Sequence, residues 1–224
     1  MSISDGIVAC FDAGGRRSYP GMGTTWTDVV AGYIGTLYNF GAGFFDSANG
    51  GILAFDGTDS YVRTPAPSPE GTGGFAVEFW VKFDDANNVD CIFANYTLDA
   101  CQLVVERLSG DSAVYSVYFS GAIANNSSHT FPKLEDVWYC ISLSRIGSTL
   151  KGYIDGVEIF SESNSTDLAT SGDSYFGIQH DGGDPGSFDH PFDGEMAIMR
   201  WYNRGLTDAE VLQNYDAIRY RFNL

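Results

Sequence analysis

The stretch "FDGEMAIMRWYNRGLTDAEVLQNY", Phe192 to Tyr215, holds one strand and one helix in immediate succession. Glu195–Tyr202 has strand composition, and Asn203, Arg204 and Gly205 break it. Thr207 and Glu210 then stand at the T-x-x-E spacing of a capping box, in which each side chain satisfies an unpaired backbone donor. Val211, Leu212 and Tyr215 follow on one face at helical spacing. The spacing predicts a short amphipathic helix docked on a β body, where it closes an edge of the sandwich and performs no chemistry.

Outward from this ending, the chain reads as strands. "GFAVEFWVKF" puts Phe75, Val77, Phe79, Val81 and Phe83 on one face. Ala76, Glu78, Trp80 and Lys82 fall on the other. This period of two predicts an antiparallel strand with one buried and one mixed face. "AVYSVYFS" alternates likewise through Val114, Ser116, Tyr118 and Ser120. "VWYCISLSRIGSTLKGYIDGVEIF" divides into three strands at Gly147-Ser148 and at Asp155-Gly156, the latter a two-residue hairpin signal. Further strands are predicted at Ile7–Asp12, Ile52–Phe55, Tyr61–Thr64, Cys91–Asn95, Gln102–Arg107, Tyr175–Gln179 and Phe192–Asn203. Thr64–Gly74 is the most loop-like segment, and no repeat or linker interrupts the chain. The expectation is an all-β, two-sheet antiparallel sandwich with one short C-terminal helix, forming one domain over residues 1–224.

Twelve Lys and Arg against 29 Asp and Glu give a net charge of −17. Such a surface repels phosphate backbones and anionic membranes, which argues against nucleic-acid and membrane partners. It suits a hard cation such as Ca²⁺. The first residues show no basic, apolar leader, so the chain is expected to be made in a host cytoplasm and to remain soluble. The sequons at Asn95, Asn125, Asn126 and Asn164 are then read as chance. Cys10, Cys91, Cys101 and Cys140 sit in apolar strand contexts without a CxxC pair and are read as reduced, buried thiols.

Several of these segments carry a resemblance. The closing strand and helix, "LAFDGTDSYVRT" (Leu53–Thr64), "FAVEFWVKF" and "WYCISLSRIGSTLKGYIDGVEI" are similar, in order, to signatures of concanavalin A-like jelly rolls of the laminin-G-like and pentraxin type. "FDAGGRRSYPGMGTTWTDVVAGYIGTLYN" (Phe11–Asn39) resembles the version of this domain found in proteins of tailed bacteriophages. The resemblance implies glycan binding at a rim or on the concave sheet, frequently with Ca²⁺. It implies a cation site where Asp99 meets the loop "GIQHDGGDPGSFDH", with Gln179, Asp181 and Asp184 as ligands and Asp189 nearby. Ala100 stands where an amide ligand would be. Asp56 and Asp59 are the next candidates. Pentraxins tie the two strands matching "FAVEFW" and "WYCISL" by a disulfide; the resemblance matches Cys140 to one half and Glu78 to the other, so that bridge is not expected.

Function divides into readings that remain open. The favoured one is a non-enzymatic protein of a virion surface, a capsid decoration or other accessory, whose partners are virion structural proteins, glycans and further copies of itself. The alternative is a Ca²⁺-dependent adhesin that recognises host surface glycans. In either, aromatics such as Tyr96, Phe188 or Trp80 would stack on sugar rings, and Gln179 and His180 would read hydroxyls. Glycoside hydrolysis ranks last. Retaining glucanases of this fold carry two carboxylates on one strand, whereas "VEFWVKF" and "VVERL", the strands expected on the concave face, hold one each, Glu78 and Glu106.

Overall fold

The computed structural model describes residues 1–84, 90–95, 103–108, 113–119, 127–131, 135–168, 172–180 and 188–224. In chain order the strands are β1 (Ile7–Asp12), β2 (Thr25–Thr27), β3 (Ile34–Tyr38), β4 (Phe45–Asp46), β5 (Ile52–Asp56), β6 (Tyr61–Thr64), β7 (Phe75–Phe83), β8 (Asp90–Asn95) and β9 (Leu103–Leu108). They continue with β10 (Ala113–Phe119), β11 (Ser127–Phe131), β12 (Trp138–Ile146), β13 (Thr149–Ile154), β14 (Val157–Ser163), β15 (Ser174–Phe176), β16 (Gln179–His180), β17 (Phe188–Asp189) and β18 (Asp193–Tyr202). One helix, α1 (Asp208–Ile218), follows and runs into a 3₁₀ turn at Arg219–Phe222.

The strands form two antiparallel sheets in a jelly-roll sandwich. Sheet one has the order β14-β13-β12-β7-β18-β5-β4. One edge of β18 lies along β7; its other edge is shared by β5, at Asp193–Met196, and β1, at Ile198–Tyr202. Sheet two has the order β11-β10-β9-β8-β15-β6-β3-β2. Between the sheets lies an aromatic core in which Phe79 and Trp201 are buried, as the alternation of their strands requires. Phe11, Trp26, Phe93, Phe176 and Trp201 meet there at centroid separations of 5.3 to 6.1 Å, mostly tilted or edge to face.

The second face of β7 departs from the expected mixed exposure. Ala76, Glu78 and Trp80 are all buried. The cover is the C-terminal segment: Trp80 stacks on Phe222 at 4.6 Å and on Tyr215 at 5.8 Å, with Trp138 and Cys140 beside it. α1 therefore lies across the outer face of sheet one rather than closing an edge. Its capping box forms as predicted, with Thr207 accepting from the Glu210 N–H and Glu210 accepting from the Thr207 N–H. Its buried residues are Val211 and Asn214, while Leu212 is 45% exposed, against the face assigned from spacing. Asn214 replaces it inward because its amide bridges Tyr202 Oη and the Ile3 N–H.

The Asp155-Gly156 hairpin has positive φ at both positions, 51° and 78°. The strand predicted over Tyr175–Gln179 is broken. Gly177 adopts φ +80° against the Phe55 ring, where a side chain would collide, and the chain splits into β15 and β16. β2 and β4, of three and two residues, are too short for periodicity to reveal, and β3 and β11, "IGTLY" and "SSHTF", lack a clear apolar alternation. Cys91 and Cys140 are buried and unbridged, and Cys10 is half-buried and unbridged. Burial pushes the Cys10 thiol up to about 11 and raises that of Cys140 as well. Cys101 lies outside the described residues, as do Asn125 and Asn126. Asn95 and Asn164 are buried, so neither sequon is presented to modifying enzymes in the folded chain.

Candidate functional site

The two outer sheet faces differ in availability. On sheet one the C-terminal segment seals an ion pair, Glu78 to Arg200 at 3.3 Å, with Trp80 donating its indole N–H to Glu78 at 3.1 Å. Trp80, expected to stack on sugar, therefore stacks on the protein's own rings. Glu78 belongs to sheet one and Glu106 to β9 of sheet two, so they do not share the concave face assigned to them.

On sheet two, β3 and β6 alternate. Leu37, Val62 and Thr64 point into the core, so Ile34, Thr36, Tyr38, Tyr61 and Arg63 point outward. Tyr38 and Tyr61 are cross-strand partners, and Thr36 faces Arg63, which in turn faces Tyr175. The Tyr38 and Tyr61 rings stack at 4.8 Å and 12°. Phe188 extends the stack on Tyr61 at 4.9 Å and 28°. Tyr175 supports it, 6.2 Å from Tyr61 and 6.5 Å from Phe188. The end rings are the exposed ones, Tyr38 at 37% and Phe188 at 43%.

Phe188 reaches this position on the ribbon of β16 and β17, which pairs Gln179 with Asp189 and His180 with Phe188. Next to the stack, Arg63 donates Nε–H to Asp173 Oδ2, and this bond raises the guanidinium pKa. Burial raises the phenols of Tyr61 and Tyr175, which keeps both as neutral hydroxyl donors. The surface thus brings together two ring faces, phenol hydroxyls, a guanidinium and a carboxylate from β3, β6, β17 and the start of β15. That chemistry matches a polyhydroxylated ligand with an apolar face.

Of the residues singled out from sequence, Phe188 joins this surface. Gln179 lies in the same ribbon, and its side-chain oxygen is buried with no donor among the described residues. His180 is placed by its backbone only, and Tyr96, Asp99, Asp181 and Asp184 lie outside the described residues. Asp56 Oδ1 accepts from the N–H groups of Thr58, Asp59 and Ser60 and from the Ser60 hydroxyl, which fixes the turn that carries Asp59. Sequence reasoning missed Tyr38, Tyr61, Arg63, Asp173 and Tyr175. Tyr61 and Arg63 were visible as alternate positions of a predicted strand, but nothing local identified their face as the open one.

A laminin-G-like family model, described as the concanavalin A-like lectin/glucanases superfamily, matches residues 56–212. The chain belongs to this superfamily. No curated protein matches it. Among solved structures, the concanavalin A-like fold recurs in the botulinum neurotoxin serotype G binding domain, at 16% identity and a TM-score of 0.68 over 94% of this chain and 51% of that one. The chain thus spans about half the length of that toxin domain. Domain 4 of AbnA, a GH43 extracellular arabinanase from Geobacillus stearothermophilus solved with arabinotriose, gives 18% and 0.68 over 93% and 98%. A heptameric SAP-like pentraxin from Limulus polyphemus gives 16% and 0.59 over 72% and 79%. At these identities the likeness is one of fold.

Proposed function

We propose that this concanavalin A-like chain is a non-enzymatic glycan-binding module that works through the outer face of sheet two. The observation that carries the reading is the Tyr38–Tyr61–Phe188 stack on the sheet face that α1 leaves uncovered. Apolar C–H faces of a sugar pack on the exposed outer sides of Tyr38 and Phe188. Its hydroxyls meet the phenols and the Arg63–Asp173 pair. Support comes also from the arabinanase domain, a sugar-binding relative in fold that this chain nearly covers. The non-enzymatic reading is supported by Glu78, which is buried and neutralised by Arg200.

The finer reading, a decoration or accessory of a virion surface, rests on the resemblance of Phe11–Asn39 to phage proteins and on a charge that suits an outward-facing position. Ca²⁺ fits the neighbouring ribbon in one respect: the Gln179 side-chain oxygen lacks a donor, and a cation supplies what such an oxygen lacks. Gln179 would hold it together with Asp99, Asp181 and Asp184, the bound ion fixing the ribbon that carries Phe188.

The test is a glycan array followed by calorimetry on the hits, with wild type and Tyr61→Ala. Loss of the central ring is expected to weaken binding at least tenfold, equivalent to about 1.4 kcal/mol. Wild-type affinity in Tyr61→Ala would overturn the placement of the site.

A further inference from the structure

The sandwich offers other recesses. A cavity of about 360 Å³ opens between Pro67–Glu70, Phe75 and Trp201. Ser68, Glu70 and Asn203 also line it, but among the described residues no unpartnered buried polar atom points into it to select a ligand. The exposed tip Val29–Val30 is held by Asp28, whose carboxylate accepts from the N–H groups of Cys10, Val30, Ala31 and Gly32. Nothing there indicates a partner. The Arg63–Asp173 pair is more informative, because the atoms it leaves unused define a chemistry.

Arg63 commits Nε to Asp173 Oδ2. Its two terminal nitrogens meet no protein acceptor, and Asp173 Oδ1 meets no protein donor, among the described residues. Half of the Arg63 side chain and a quarter of that of Asp173 are exposed. An unused donor edge and an unused acceptor therefore sit side by side, next to the aromatic stack. Two adjacent hydroxyls match this pair, because one donates to the carboxylate while the other accepts from the guanidinium. Charge-assisted bonds of this kind are stronger than neutral ones.

A sugar carboxylate fits the same place poorly. Arg63 still presents a two-pronged edge through its two terminal nitrogens, but its charge is already paired with Asp173. The sugar carboxylate would also face Asp173 at close range and approach a chain of net charge −17.

We propose that the glycan surface is selective for neutral sugars that present a vicinal diol to Arg63 and Asp173, with the adjoining ring stacked on Tyr38 or Phe188. This rests on the glycan-binding reading above. Asp173 acts as the selector. It accepts one hydroxyl, and its carboxylate, already paired with the guanidinium, repels an acidic sugar.

The test measures the affinity of the full chain for cellohexaose, maltohexaose and arabinohexaose against hexagalacturonate, at fixed ionic strength. Wild type is expected to bind at least one neutral chain and to bind it at least tenfold more tightly than the uronate. Asp173→Asn is expected to weaken the neutral chain about tenfold or more, since the charged acceptor is lost. It should also improve uronate binding, since the repelling carboxylate is gone and the Arg63 charge is no longer paired. Arg63→Gln is expected to weaken both. Thermal melts of each variant confirm that the fold is kept. A wild type that prefers the uronate, or an Asp173→Asn variant with unchanged preference, overturns the diol assignment while leaving glycan binding intact. Failure of every sugar to bind wild type overturns the glycan reading itself.

Discussion

At the residue scale, the fate of Trp80 turns on what covers it. Period two correctly divides Phe79 from Trp80, but it says nothing about whether the second face meets water or protein. Here it meets Tyr215 and Phe222, residues distant in sequence. The same cover makes the Glu78–Arg200 pair a buried one, and buried pairs behave differently from surface pairs. Removing one partner leaves an uncompensated charge in a low-dielectric interior. Glu78→Gln is therefore expected to cost about 3–5 kcal/mol, a fall in melting midpoint on the order of 10 °C for a domain of this size. Glu158→Gln, which breaks a partly exposed pair with Lys151 at 2.7 Å, serves as the contrast and is expected to leave the midpoint nearly unchanged. Equal midpoints for the two variants in a thermal melt would show that the outer face of sheet one is wet.

At the element scale, α1 was legible because its start signal is chemical as well as periodic. Thr207 and Glu210 satisfy one another's backbone, and Arg204 adds a bond to the Glu210 carboxylate at 2.7 Å. The Arg204 bond first, and the Thr207 N–H second, hold the Glu210 carboxyl down to about 2 from 4.5. The folded-state pKa lies below the unfolded one, so the stabilisation is complete above about 4.5 and is lost as pH falls toward about 2. The melting midpoint of wild type should then fall through that window more steeply than that of Glu210→Gln. Parallel curves would mean that Glu210 is not engaged in solution. The long strands β7, β12 and β18 were equally legible, since nine or ten residues give alternation room to declare itself. β16 and β17, two residues each, were not, and these are the elements that deliver Phe188. The candidate site was read less well than the fold for that reason. It is assembled from one or two residues on each of β3, β6, β15 and β17, with Asp173 beside them, and pairing across a sheet leaves no trace in local spacing.

At the scale of the whole molecule, the acidic balance that argues against nucleic acid also makes carboxylate repulsion a standing cost, and a bound cation would relieve it. If Ca²⁺ binds the folded chain at the Gln179 rim, a hundredfold excess over Kd stabilises by about 2–3 kcal/mol, or about 4–10 °C. Melts in millimolar Ca²⁺ and in chelator, matched for ionic strength, read this directly. Coincident midpoints would remove the cation from the proposal, and a shift that persists in Asp181→Ala would move it away from that loop.

The position of β18 has a consequence for how the chain comes to be folded on the ribosome. It lies between β7 on one side and β5 and β1 on the other. Until Asp193–Tyr202 has been synthesised, sheet one exists as disconnected pieces: the β14–β13–β12–β7 block, the β4–β5 pair and a solitary β1. Each has an apolar face and unpaired edges, and the cover for Trp80 is made later still. Early strands must therefore wait for late ones, and closure depends on contacts between the two ends of the chain, a topology associated with slow folding. During that interval the nascent chain presents the surfaces on which aggregation begins. Its 29 acidic side chains, already charged as each one emerges, set mutual repulsion between neighbouring copies against that tendency.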